Sequence, residues 1–262
     1  MIRIRILLVI AVLVSFFVAM HVSTAQDAAM SSAPAFNGGV FVTPVPNAPF
    51  SAEAEQFMTQ MLRDGSSFQR KTAALIARDS QGRIRNERHE VLAASSTRKP
   101  IVFSIHIYDP ATRLNTFLNP YTHIARRSTV DHPPSTEPPA NWWVHQVGAR
   151  SSNPNLQAQD LGPSVIDGVE VHGFRRILTV PAKASGTDRA VVVTDEIWYS
   201  EELHINLLTK HNDPRTGQLT LTVTHINVNE PDVDLFAIPP DYKLVDMNPP
   251  ESESQNPVRV VH

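Results

Sequence analysis

The chain has no cysteine, only 10 glycines against 21 prolines, and no strong charge of either sign. Without cysteine there is no disulfide framework, thiolate zinc site, iron–sulfur cluster, thiol nucleophile or lipidated cysteine anchor. A formal charge of −3 over 262 residues gives no electrostatic footprint for nucleic acid. Nucleic acid is therefore not an expected partner, and no residue pattern calls for a cofactor. Charged residues at 19% and hydrophobics at 42% fit a globular chain, long enough to bury a core without covalent staples.

Long apolar runs are scarce too, with one exception at the start. Arg3 and Arg5 precede an apolar stretch from Ile6 to Met20, broken only by Ser15, and Ser23-Thr24-Ala25 supplies small residues. Residues 1–25 read as a signal peptide cleaved after Ala25, giving an exported product, periplasmic or extracellular. Left uncleaved, the same segment would be the one contact with a membrane, although its 15 residues fall short of a full span. Removing Arg3 and Arg5 takes the 23 basic residues to 21 against 26 acidic ones, a mature charge of −5.

Residues 26–49 are rich in Ala, Ser and Pro and read as a flexible leader. From Phe50 onward the pattern has period two, as half-buried strands require. Ile101, Phe103, Ile105 and Ile107 fall on one face; Leu219, Leu221 and Val223 oppose Thr220, Thr222 and Thr224; Leu203, Ile205 and Leu207 alternate with His204 and Asn206. Turn chemistry lies between the runs. Asp64-Gly65, Asp79 to Gly82, Asp167-Gly168 and Asp213 to Gly217 can all supply a positive φ, whereas the turn from Asp109 ends at Arg113. Such short loops join antiparallel neighbours. The expectation is a mainly β, α+β class domain over residues 50–245: a curved, largely antiparallel sheet or half-barrel with minor helix. Pro231 marks a helical turn within Glu230–Phe236, and residues 246–262 read as a flexible tail.

Two segments stand apart. Ser51 to Leu62 has apolar residues at helical spacing, with Ser51 as an N-cap, yet the Asp64-Gly65 turn makes the same segment a hairpin arm. Residues 128–163 hold six prolines and read as a long loop carrying Trp142 and Trp143, two of the three tryptophans. Paired aromatics in a polar loop expose area unless they dock, so Trp142 and Trp143 are the candidate ligand-binding residues. Plugging the end of the sheet's core explains them equally well.

Signs of catalysis are thin. The nucleophile elbow, P-loop, dinucleotide fingerprint and zinc helix are all absent, and Ser96–Lys99 alone has a catalytic spacing, followed directly by Pro100. His172, His204, His211 and His225 sit on separate strands without ligand spacing, so no metal site is expected. Asp195, Glu196, Glu201 and Glu202 read as solvated charges. The run Arg83 to Arg88 reads as a strand face in water, or as a contact for an anionic head group.

The segments Arg78-Asp-Ser-Gln-Gly-Arg-Ile-Arg85, Ile197 to Leu203, Lys210 to Gly217 and Asn229 to Tyr242 resemble a group of uncharacterised exported proteins abundant in acidobacteria. That resemblance covers about residues 50 to 245 and implies a strand, not a helix, at Phe50–Leu62. The ending from Asp232 through Leu235-Phe236 to Tyr242 is also similar to periplasmic lipoprotein carriers (LolA-like) and sigma-factor regulators (RseB-like). This implies a curved antiparallel sheet that holds acyl chains or a lipoprotein segment. The expected role is an exported envelope protein binding an apolar or lipid-like ligand or lipoprotein segment. The alternatives are a protein-interaction or envelope-sensing module using the proline-rich loop and, behind it, a hydrolase. Expected partners are thus a lipid, a lipoprotein or an envelope protein.

Overall fold

The computed structural model describes residues 42–62, 64–93, 95–136 and 153–247. The proposed signal peptide, most of the leader, the tail beyond Met247, and both Trp142 and Trp143 lie outside the described residues. All described residues belong to the unit Gly39–His262.

Twelve strands form one open sheet that does not close into a barrel. The first meander comprises β1 (Phe50–Met61), β2 (Ser67–Arg78), β3 (Ile84–His89), β4 (Val102–Asp109), β5 (Leu114–Asn119) and β6 (Ile124–Thr129). The second comprises β7 (Leu156–Ile166), β8 (Val169–Val180), β9 (Val191–Ser200), β10 (Ile205–Asp213) and β11 (Gly217–Asn227). Antiparallel pairing of β1 with β11 joins the two meanders. The last strand, β12 (Lys243–Asp246), lies parallel to β6 at the far edge, the single exception to the antiparallel pattern. Among the described residues, helix is limited to α1 (Ala182–Ser185) and a 3-10 turn at Val233–Phe236. That turn begins two residues later than Pro231 suggests, because the Asp232 side chain accepts the Asp234 N–H as its cap.

β1 is a strand in spite of its helical spacing. It is paired along nearly its whole length with β2 on one side and β11 on the other, and these ladders outweigh a local preference worth tenths of a kcal/mol per residue. The turns follow their expected chemistry. Gly82 takes φ +82°, and an added Cβ would sit 2.8 Å from the Pro44 carbonyl oxygen, so this turn admits glycine alone. Arg113, where a glycine was missing, itself adopts φ +57°.

Register sorts the core onto two opposite faces. Phe50, Ala52 and Ala54 share a face with Ile76, Ile84, Tyr108, Leu221 and Val223. Ile105, Ile107, Leu118 and Ala125 share the other, beneath Ile238 and Tyr242 of the C-terminal segment. The expected single face of Ile101 to Ile107 breaks at Phe103. β4 bulges there, Ile105 and Ile107 are buried, and Ile101 and Phe103 are about half exposed.

Two boundaries differ from the sequence reading. Val42, Val45 and Ala48, at the end of the expected flexible leader, are buried. Part of the expected 128–163 loop is strand, since β6 reaches Thr129 and β7 starts at Leu156. β7 escapes detection because it is an edge strand with little to bury, and that position also tolerates Pro163.

Candidate functional site

The site grows from one buried cation. Arg78 continues the inward alternation of Ala74 and Ile76 on β2 and has no exposed surface. Its Nε and Nη2 donate to the Ala48 carbonyl at 2.8 and 2.6 Å, and Nη1 donates to the Thr43 carbonyl at 2.8 Å. Nη2 also donates to the Leu203 carbonyl at 2.6 Å, and the guanidinium lies 5.0 Å from the Phe50 ring centroid. Burial pushes its pKa down to about 10, against a smaller upward pull from Tyr199, so it remains cationic at neutral pH. Arg78 thereby ties two chain segments to β2: residues 43–48 and the turn 201–204.

That turn carries Glu201 and Glu202 to the mouth of a cavity of about 490 Å³. Pro163, Val165, Val171 and Tyr199 are its apolar lining, with Ser164, His172 and Glu170 completing it; by register Ser164 and Val171 face the opposite side of the sheet from Pro163, Val165, Glu170 and His172, so the space wraps the sheet edge. The ladder sets Pro163 opposite His172, and His172 opposite Tyr199, across three neighbouring strands. At a bulge between Asp160 and Gly162 the exposed Asp160 carboxylate Oδ1 accepts the Gly162 N–H at 2.8 Å and meets His172 Nε2 at 2.5 Å. The hydrogen bond from His172 is the main cause of a lowered Asp160 pKa. His172 stacks on Phe174 at 4.7 Å, which fixes the ring. Gly173, between them, lies under the Trp198 ring, where an added Cβ would be 2.6 Å from a ring carbon.

Burial pushes the Tyr199 hydroxyl up to about 12, with the Glu201 charge adding to the shift and Arg78 opposing it. Its oxygen stands 3.4 Å from His204 Nδ1, and burial followed by the Arg78 charge lowers the His204 pKa. Both groups are neutral at pH 7. Glu170, Glu201 and Glu202 form no ion pair among the described residues. The cavity therefore offers an apolar wall, a neutral hydroxyl and a rim of uncompensated carboxylates. Such a volume suits a small organic ligand, whose usual pockets span ~300–1,000 Å³.

The other sequence-marked groups are structural. Adjacent in sequence, Asp195 and Glu196 project to opposite faces. Asp195 meets Arg176 at 2.7 Å and His211 at 2.6 Å, all in register across β8, β9 and β10. Glu196 accepts from Arg175 at 2.6 Å, Lys210 at 3.1 Å and the Trp198 indole N–H at 3.0 Å. Burial opposes its ionisation, but these three donors prevail and hold its pKa at about 2. His172, His204, His211 and His225 meet Asp160, Tyr199, Asp195 and Glu53 respectively, and do not converge. Ser96 and Lys99 are exposed in the connection between β3 and β4. In the run Arg83 to Arg88, Arg83 pairs with Asp79 at 2.5 Å, and Arg85 bonds Glu87 and the Leu235 carbonyl. Sequence reasoning missed Arg78, Tyr199 and Glu170. An arginine at an inward position of a strand was a legible signal, whereas the other two depend on register.

No family model matches the chain, and no curated protein does. Solved structures do. MucB is 10% identical with a TM-score of 0.37, over 74% of this chain and 58% of MucB, so the chain spans less than two thirds of that protein. A LolA superfamily protein from Nitrosomonas europaea is 10% identical with a TM-score of 0.32, over 73% of this chain and 91% of its own. LprF from Mycobacterium bovis is 9% identical with a TM-score of 0.31, over 70% and 89%. The chain is distantly similar to the LolA-like and RseB-like proteins that its sequence resembles. At these identities and TM-scores the likeness carries nothing chemical.

Proposed function

We propose that this is an exported envelope protein that binds a lipid-like amphiphile in the cavity between β7, β8 and the 201–204 turn. The amphiphile presents an apolar body and a cationic, hydrogen-donating head. One observation carries the reading: Pro163, Val165, Val171 and Tyr199 line the cavity together with Glu170, Glu201 and Glu202, three carboxylates that form no ion pair among the described residues. Desolvating an apolar body contributes about 0.8 kcal/mol per buried CH₂. A charged head placed among Glu170, Glu201 and Glu202 adds direction and selectivity. The sign of the rim separates this ligand from an anionic lipid, which the same carboxylates would repel.

Export rests on the N-terminal arrangement of Arg3, Arg5, the apolar run to Met20 and the small residues ending at Ala25. Native mass spectrometry of protein purified under mild conditions from a cell envelope tests both parts. The expected result is a chain beginning at Gln26 and carrying an amphiphilic adduct lost on organic extraction. A ligand-free chain that takes up no amphiphile afterwards refutes the binding reading.

A further inference from the structure

A second feature, midway along the sheet, points to a polypeptide partner. β2 runs from Ser67 to Arg78 and pairs with β1 along all of it, but β3 accompanies it only from Ala73 to Arg78. β3 ends at His89, which leaves Ser67–Thr72 without a strand partner on that side among the described residues. Half the backbone N–H and C=O groups of an edge face outward, ready to pair with another strand.

A cavity of about 330 Å³ lies at this notch. Arg70, Lys71, Thr72 and Ala73 line it consecutively, together with the end of β3. Successive strand residues point to opposite faces, so a space touching four in a row lies in the plane of the sheet. It is where a strand would sit.

The side chains around it define the occupant. Arg70 and Arg88 lie on one face by register and form no ion pair among the described residues, whereas Lys71 is neutralised by Glu55 at 2.6 Å. Phe103, bulged out of β4 and about half exposed, supplies apolar surface. His89 is 92% buried, and its Nδ1 donates to the Glu90 carbonyl at 2.9 Å. Its Nε2 is buried with no hydrogen-bond partner among the described residues.

We infer that the edge of β2 receives an extended acidic segment of a protein partner. The segment continues the line of β3, hydrogen-bonds to Ser67–Thr72 and sets carboxylates against Arg70 and Arg88. Six residues in this edge span about 20 Å. A second copy of this chain is disfavoured, because edge-to-edge pairing would bring the unpaired Arg70 side chains of the two copies together.

The test uses the mature chain and a blocked hexapeptide alternating glutamate with valine. Binding is read by fluorescence polarisation, and amide exchange of Ser67–Thr72 is followed by mass spectrometry. The expected results are saturable binding, protection of Ser67–Thr72, and at least tenfold weaker binding with Arg70→Glu or Arg88→Glu. Replacing alternate residues by proline, or glutamate by lysine, abolishes it. Three outcomes overturn the inference: no binding, binding without protection of that edge, or equal binding of the lysine peptide. Self-association through the edge, or binding of anionic phosphatidylglycerol vesicles in place of the peptide, overturns it as well.

Discussion

Arg78→Met removes the guanidinium while keeping most of the stem volume. It deletes four hydrogen bonds of 2.6–2.8 Å to three carbonyls. The Thr43 carbonyl keeps a bond from the Val45 N–H at 2.9 Å, so the Ala48 and Leu203 carbonyls are the ones stripped. Each buried acceptor left unmade costs ~1–3 kcal/mol. Losing the cation's contact with Phe50 adds to this, while relief of its own desolvation offsets part. The balance is a destabilisation of about 3–5 kcal/mol, or roughly 10 °C in Tm at ~2–4 °C per kcal/mol for a domain of this size. Arg78→Lys keeps the charge and up to three donors and falls between the two. Urea unfolding followed by circular dichroism gives the stability, and amide exchange locates the effect. Val42–Ala48 and the 201–204 turn are expected to lose protection before the β4–β6 face. A variant within about 1 kcal/mol of the parent, or with uniform loss of protection, refutes the assignment of Arg78 as the staple of this end.

The remaining predictions concern the sheet and the rim. Glu196 has a native pKa of about 2 against an ordinary value of 4.5, so its stabilisation is full above pH ~5 and is lost as pH falls towards 2. The shift corresponds to about 3 kcal/mol, and Glu196→Gln is expected to flatten the acid limb of a stability–pH profile measured by urea midpoint between pH 6 and 3. Gly173→Ala drives a methyl into the Trp198 ring, costing about 1–3 kcal/mol and shifting tryptophan emission; an unchanged emission maximum speaks against that contact. Combined Glu170→Gln, Glu201→Gln and Glu202→Gln leaves the fold intact by circular dichroism, since all three are exposed, and weakens a cationic amphiphile about tenfold or more in a displacement assay.

Alternation made most strands readable, since buried residues such as Leu221 and Val223 against the half-buried Thr220 and Thr222 carry the period openly. The segments that resisted did so for physical reasons. β1 is fixed by two long ladders rather than by its own spacing, and β7 has too little burial to leave an alternating record. The bulges at Phe103 and between Asp160 and Gly162 shift register by one residue, which no period reveals in advance. The cavity follows from the second bulge, because it aligns Pro163, His172 and Tyr199. The carboxylates Glu201 and Glu202 were visible in the sequence as charges, but their lack of partners is a property of the fold.

The central claim is that the cavity selects a cationic amphiphile. Calorimetric titration of the mature chain with dodecylammonium and with dodecanoate, both below their critical micelle concentrations, tests it most directly. The account predicts one saturable site for dodecylammonium, at least tenfold tighter than dodecanoate and weakened by the Glu170, Glu201 and Glu202 substitutions. Equal affinity for the two, or preference for dodecanoate, contradicts it.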